Sequence, residues 1–277
     1  MMQTPCRLSI VIPSYNDGKF IRDAIASVEK LPRELYELII VSDGSPDEFT
    51  IGVIDDLEAA GYRIIRQENK GLGGARNTGV AAASGEYILP LDTDNKIRTD
   101  FTLRAIKILD ERPEISMVHG DFQYFGETNA LCRIPPFDIK QMLYRNYIDA
   151  CSVYRRSMWE DCGGYDEKVP VMGIEDWDFW LNAYTRGYKF LHLDMVAFDY
   201  AHRLDAMTSI LRKEENWRMS EEYLYKKYAM LVKEHYHDYA RWDYHGRELR
   251  RRPLRTLIRL FSSALWKRLH DRIFKVY

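Results

Sequence analysis

Two pairs of acids in this 277-residue chain have the type and spacing to do chemistry. The first is Asp92-Thr-Asp94, placed directly after the apolar run Tyr87 to Leu91, which predicts a buried strand. Open α/β sheets place ligands outside the carboxyl ends of their strands. Two carboxylates released there repel each other unless positive charge lies between them. Mg²⁺ or Mn²⁺ would supply it, because both prefer carboxylate oxygen and accept substrate phosphate oxygens in the same shell. A plainer reading is a solvated turn with an Asx cap at Asp94 or Asn95. The second pair is Glu175-Asp176, at the start of a helix that also carries Asp178. Acids in a first turn complement the helix dipole, but three acids among three aromatics exceed what a cap needs. Residues 175 and 178 share a face and 176 points elsewhere. This spacing predicts Asp176 in a cleft and Asp178 in solvent.

A repeated alternation must hold these acids in place. Strands are expected at 8–13, 38–41, 63–66 and 87–91, with helices at 20–29, 51–60 and 69–83 between them. That order predicts a parallel sheet with helices on both faces. Polar residues follow each strand: Ser14 to Asp17, Asp43, Asn69, then Asp92 and Asp94. Together they would line one edge as a ligand cleft. Later expectations are a helix over 101–112, strands at 115–119 and 122–125, a helix over 137–144, a strand at 151–156, and strands at 189–193 and 196–200. The cluster Gly71-x-Gly73-x-x-Arg76 departs from the dinucleotide fingerprint at its sixth position and follows the third strand instead of the first. It reads either as a closely packed helix start or as an arginine aimed at a phosphate.

Composition bounds the rest. Hydrophobic residues are 46% and charged residues 30% of the chain, as in globular proteins. A net charge of −2 gives no general case for nucleic-acid binding. Cys6, Cys132, Cys151 and Cys162 lack zinc-like spacing and fit a reducing, cytoplasmic setting. The N-terminus lacks a signal-peptide layout, and no apolar run approaches the roughly 20 residues of a membrane span.

These residues together resemble a family-2 glycosyltransferase. The matching segments are Ser9-Ile-Val-Ile-Pro-Ser-Tyr-Asn16, Val41-Ser-Asp43-Gly-Ser, Asn69-x-Gly-x-x-x-Ala75-Arg-Asn77-x-Gly79, Asp92-Thr-Asp94, Gly163-Gly-Tyr-Asp-Glu167 and Glu175-Asp176-Trp-Asp-Phe. Their order and separations agree across roughly residues 6 to 205. The resemblance implies the GT-A fold, an α/β nucleotide-sugar-binding Rossmann-like fold with a mostly parallel central sheet. It implies a catalytic domain at 1–205 and a helical extension at 206–277.

It also implies an inverting, metal-dependent transfer of a sugar from a nucleotide-sugar donor, usually a UDP-sugar, to a hydroxyl of a saccharide or lipid-linked acceptor. Pro13, Ser14 and Tyr15 would line the base and ribose, Asp43 would hold the base, and Arg76 would lie by the diphosphate. Asp92 would approach the ribose and the metal, Asp94 would ligate Mn²⁺ or Mg²⁺, and His202 would complete the metal site. Asp176 would be the catalytic base with Glu175 beside it at the acceptor. His202 also has a plainer reading as a structural histidine at a strand end.

The segment 249–277 is a basic amphipathic helix, with Leu254, Leu257, Ile258, Phe261, Leu265, Leu269 and Ile273 at helical spacing among arginines and lysines. It would lie on an anionic membrane at the inner face of the cell membrane, which suits a lipid-linked acceptor and bacterial surface-polysaccharide synthesis. Otherwise it packs on the catalytic domain or on a second subunit, as in a homodimer. Two other functions compete. A haloacid-dehalogenase phosphohydrolase also carries Asp-x-Asp, but it wants threonine or valine where Lys96 stands. A non-catalytic sugar-nucleotide scaffold would not require Asp176.

Overall fold

The computed structural model describes residues 6–203 and 213–235, with Arg247 and Arg252. Two compact units divide at Tyr228/Ala229. The first runs past the boundary expected at 205/206. The amphipathic segment 249–277 lies outside the described residues, apart from Arg252.

The first unit is built on one mixed sheet, ordered β3-β2-β1-β4-β8-β6-β9-β5 with β7 against β6 among the described residues. The strands β1 (Leu8–Ser14), β2 (Tyr36–Asp43), β3 (Arg63–Gln67) and β4 (Tyr87–Pro90) are parallel. The helices α1 (Gly18–Val28), α2 (Glu48–Ala59) and α3 (Gly71–Ala81) connect them. Every residue of β1 and β4 is buried. Both faces of these strands are covered, so they read as unbroken apolar runs. Ile10, Ile12 and Leu89 pack with Ile21, Ile25 and Ile54 from α1 and α2. On the other face α3 lies so close that a Cβ on Gly79 would stand 2.2 Å from Val11 Cγ1.

Beyond β4 antiparallel pairs join, which makes the sheet mixed within the mostly parallel plan that was expected. β5 (Lys96–Ile97) is an unforeseen two-residue strand antiparallel to β9. α4 (Thr99–Glu111) leads to β6 (Met117–Gly126), then β7 (Leu131–Cys132) and α5 (Ile139–Tyr144). β8 (Val153–Arg155) enters antiparallel between β4 and β6. α6 (Arg156–Cys162) and α7 (Glu175–Thr185) follow, and β9 (Phe190–His202) then pairs parallel with β6. The strands expected at 115–119 and 122–125 are one strand, as are those at 189–193 and 196–200. The register between β6 and β9 shifts at Gly120/Asp121 and Asp121/Phe122, which breaks the apolar pattern without ending either strand.

The last described helix of this unit, α8 (Glu214–Lys227), docks on α7. This overturns the expectation for Asp178. It is 1% exposed, with Lys227 Nζ 2.8 Å from its Oδ1 and the Tyr228 hydroxyl donating to the same oxygen at 2.9 Å. A carboxylate in a first turn reads as solvated until a distant cation covers it.

Candidate active site

Register brings the expected residues to one edge. β1 ends with Ser14 beside Ser42 of β2, and Asp43 pairs with Gln67 at the end of β3. β4 is in parallel register with β1, so Asp92 and Asp94 emerge at the same edge. Asn95, 2% exposed, fixes their loop: its Oδ1 accepts from Ala201 N at 3.0 Å and ties the acids to the end of β9.

Arg76 is the centre of this edge. It lies in the second turn of α3, is 2% exposed, and donates from Nη2 to Asp92 Oδ1 over 2.7 Å. The Tyr165 ring lies 5.7 Å from its guanidinium carbon. Burial is the largest influence on it and works against its charge, but Asp92, Tyr165, Asp176 and Glu175 together outweigh burial and keep it charged. α3 can approach α7 because of Gly73, where a Cβ would stand 3.2 Å from Glu175 Cγ.

Asp176 opens α7 half-buried, with Oδ1 accepting from Trp177 N at 2.8 Å and the side chain of Asn146 hydrogen-bonded to it. Burial pushes its carboxyl up to about 7; Arg76 opposes the rise and Glu175 adds to it. Glu175 is 2% exposed and accepts from Gly173 N at 2.7 Å. Its carboxyl is likewise raised by burial. The structure thus joins both acid pairs across one arginine.

Asp94 is pushed up to about 7 by burial and by the charge of Asp92, while Arg203 opposes the rise. Arg203 Nη1 lies 3.1 Å from Asp94 Oδ2 and 3.2 Å from Asp17 Oδ1. Asp92 and Asp94 each meet an arginine through one oxygen, Arg76 at Asp92 Oδ1 and Arg203 at Asp94 Oδ2. Paired carboxylates of this kind offer the oxygen donors that a hard divalent cation prefers. Among the described residues no three of His, Cys, Asp and Glu gather as a cage, so the rest of such a shell would come from a ligand such as a diphosphate. His202, at the end of β9, hydrogen-bonds Thr128 Oγ1 through Nδ1 at 3.1 Å and meets the Tyr124 ring edge-on. It does not join Asp92 and Asp94 in a three-ligand cluster.

On the nucleotide side, Asp43 is buried and accepts from Gln67 Nε2 at 2.7 Å and Lys70 N at 2.9 Å, which pins the start of α3. Tyr15 is 42% exposed at the mouth, and Pro13 is buried in β1. Ser14 Oγ, Gln67 Oε1 and Arg76 Nε are buried with no hydrogen-bond partner. Buried polar atoms are rarely left unpaired, and three on one edge mark a place for a polar ligand.

Sequence reading missed Asp149. It lies in the loop between α5 and β8, half-buried, with Oδ1 accepting from Cys151 N at 2.8 Å. Because β8 runs antiparallel to β4, its beginning reaches the edge where β4 ends. Burial raises the Asp149 carboxyl, and so do the charges of Asp92 and Asp176. Trp180 Nε1 donates to Ile148 O at 3.0 Å and fixes the loop to α7. The available signal was three polar residues, Arg145, Asn146 and Asp149, interrupting the otherwise apolar and aromatic stretch 142–151 before the strand.

The chain matches the family model described as glycosyl transferase family 2 over residues 9–162. It is 30% identical over 127 residues to the glycosyltransferase GlyG of Streptococcus pneumoniae, covering 44% of this chain and 41% of GlyG. It is 26% identical over 137 residues to the poly-beta-1,6-N-acetyl-D-glucosamine synthase of Staphylococcus epidermidis, covering 49% of this chain and 33% of that protein. The chain thus spans well under half the length of these relatives. A crystal structure of S. aureus TarS in complex with UDP-GlcNAc superposes with a TM-score of 0.62 at 20% identity, covering 77% of this chain and 64% of that one. That likeness shows the shared GT-A fold. With the family model covering more than half of its residues, the chain belongs to glycosyl transferase family 2.

Proposed function

We propose that this chain transfers a sugar from a nucleotide-sugar donor, a UDP-sugar in the first instance, to a hydroxyl of a saccharide or lipid-linked saccharide, with inversion. The observation that carries the reading is Arg76, buried between the acid pairs with one guanidinium nitrogen unpaired. A diphosphate leaving group places developing negative charge at such a point, where a preorganised donor acts most strongly. Pro13, Ser14, Tyr15 and Asp43 line the base and ribose, and Asp92 orients Arg76. Asp94, with Asp92, would hold a divalent ion at the donor's diphosphate. Mn²⁺ or Mg²⁺ there would offset charge on the leaving group without a proton.

Asp176 takes the proton from the acceptor hydroxyl as that oxygen attacks the anomeric carbon from the side opposite the diphosphate. A carboxylate poised near 7 suits a base at neutral pH. Glu175, buried behind it, raises that carboxyl by its charge. A single displacement inverts the anomeric centre. The bacterial relatives favour a place in surface-polysaccharide synthesis. No described helix is long and apolar enough to cross a membrane. Contact with the inner face of the membrane through 249–277, in a cytoplasmic enzyme, completes the reading.

The test is UDP release from a panel of UDP-sugars with Mn²⁺ and a saccharide acceptor, in the parent and in Asp176→Asn and Asp94→Asn. Loss of turnover in both variants, with UDP binding retained in Asp176→Asn, supports the assignment. Full turnover in Asp176→Asn overturns the base.

A further inference from the structure

α8 brings one cation between two elements of the site. Lys227 Nζ is 2.8 Å from Asp178 Oδ1 in the first turn of α7, and it lies 2.5 Å from Asp166 Oδ2 in the loop after α6. The Tyr223 hydroxyl donates to that same oxygen of Asp166, and the Tyr228 hydroxyl donates to Asp178. Neither end of this bridge is incidental to the site. Asp178 is two residues from Asp176, and its N–H makes the helix's first bond, to Ile174 O at 2.9 Å. Asp166 follows Tyr165, whose ring backs Arg76 and whose backbone N–H and carbonyl are both held by the side chain of Asn77 on α3.

A polar cavity of about 350 Å³ lies beside the bridge, lined by Asn77, Tyr165, Asp166, Asp178 and Lys227 among others. Loop and helix therefore have space to shift if the bridge is cut. Packed apolar side chains could seal α8 onto α7 as stably as a buried ion triad, since desolvation offsets much of the ionic attraction. What the ions add is a fixed geometry.

We propose that Lys227 is a positioning residue for the transfer reaction, bridging Asp178 and Asp166 so that the first turn of α7, with Asp176, is fixed against the loop that backs Arg76. The inference rests on Asp176 as the base. Lys227 itself touches neither donor nor acceptor.

The test compares the full chain with Lys227→Arg, Lys227→Met, the double variant Lys227→Met/Asp178→Asn, and Asp176→Asn. The double variant keeps the fold accessible because it leaves no buried charge on Asp178 without a partner. UDP-binding sites are counted by titration, so that kcat is read per folded site. In Lys227→Met and in the double variant kcat falls by about 10- to 100-fold, the loss expected from an ångström of misplacement. The donor KM stays within about twofold, because the lost interaction is not a binding contact. The acid limb of the kcat profile moves to higher pH as Asp176 loses the charge of Arg76. Lys227→Arg recovers most of the rate, since a guanidinium can bridge both acids. If the double variant binds UDP and keeps the parent's kcat per site and pH profile, Lys227 only stabilises the fold and the proposal is overturned. If Asp176→Asn retains turnover, the base reading falls and this one with it. If Asp176→Asn is dead while the double variant is unimpaired, only the present inference falls.

Discussion

Arg76 donates from Nη2 to Asp92 Oδ1 across 2.7 Å, while its Nε, on the same buried guanidinium, has no hydrogen-bond partner. One side of the guanidinium is thus used to hold its orientation and another is left for a ligand. Arg76→Met should lower kcat by about 10²–10³, the usual cost of removing a preorganised donor from a developing charge. Arg76→Lys should recover little, because an ammonium cannot hold Asp92 and a phosphate oxygen in one plane. Steady-state UDP release in both variants, beside their UDP affinities, checks this. Near-parental kcat in Arg76→Lys would show that charge alone suffices.

The charges around Arg76 give the rate a direction in pH. Asp176 is held up at about 7, chiefly by burial, and a base works only when ionised, so kcat should rise with pH and level off above about 7. Asp149 is raised for the same reason and by the charges of Asp92 and Asp176. Asp149→Asn removes one negative neighbour, so the Asp176 carboxyl should fall and the acid limb should move to lower pH. These groups titrate as a coupled set, and the limb reports the set. A kcat–pH profile of Asp149→Asn with an unmoved limb would place Asp149 outside the site.

Stability should run the opposite way. The folded chain holds protons on Asp94, Asp149 and Asp176 more tightly than the unfolded chain does. Between the ordinary aspartate value near 4 and about 7 these three groups bind more protons in the folded state. They outnumber buried His119, which is held neutral down to about 3 and acts in the opposite sense, so stability falls as pH rises through that window. Melting of the metal-free protein should drop from pH 5 to pH 7.5. Mn²⁺ with UDP should restore it in the parent but not in Asp94→Asn, as read by thermal unfolding with and without the pair. A rise in the metal-free melting temperature across this range would contradict the account.

The alternation of the first hundred residues was legible because strands buried on both faces read as unbroken apolar runs. Placing Ser14, Asp43, Asp92 and Asp94 on one edge needed only the parallel order. Asp149 was not legible, since its position depends on β8 entering antiparallel, and a three-residue strand leaves no period to read. Asp178 failed for a related reason. Its neighbours in sequence predict a helix start, and only Lys227, 49 residues later, turns a surface acid into a buried one. Local pattern finds elements; the pairs that cross the sheet edge belong to topology.

Gly79 links the packing of α3 to the chemistry of Arg76. Helix propensity alone favours alanine over glycine by about 1 kcal/mol in a helix interior. Here the added methyl would stand 2.2 Å from Val11 Cγ1 and 3.2 Å from Val41 Cγ2, both on buried strands that cannot move aside cheaply. Overpacking of this kind costs about 1–3 kcal/mol, so Gly79→Ala should be net destabilising despite its propensity. Because residues 76 and 79 lie one turn apart on the same face, relief by tilting α3 would also withdraw Arg76 from Asp92 and lower kcat. Shortening the strand-borne partner should reverse both effects in part: Gly79→Ala/Val11→Ala should melt above the sum of its single variants, the coupling expected of residues in contact. Strict additivity in thermal unfolding would mean that α3 and β1 are not in the close contact that sets the height of Arg76.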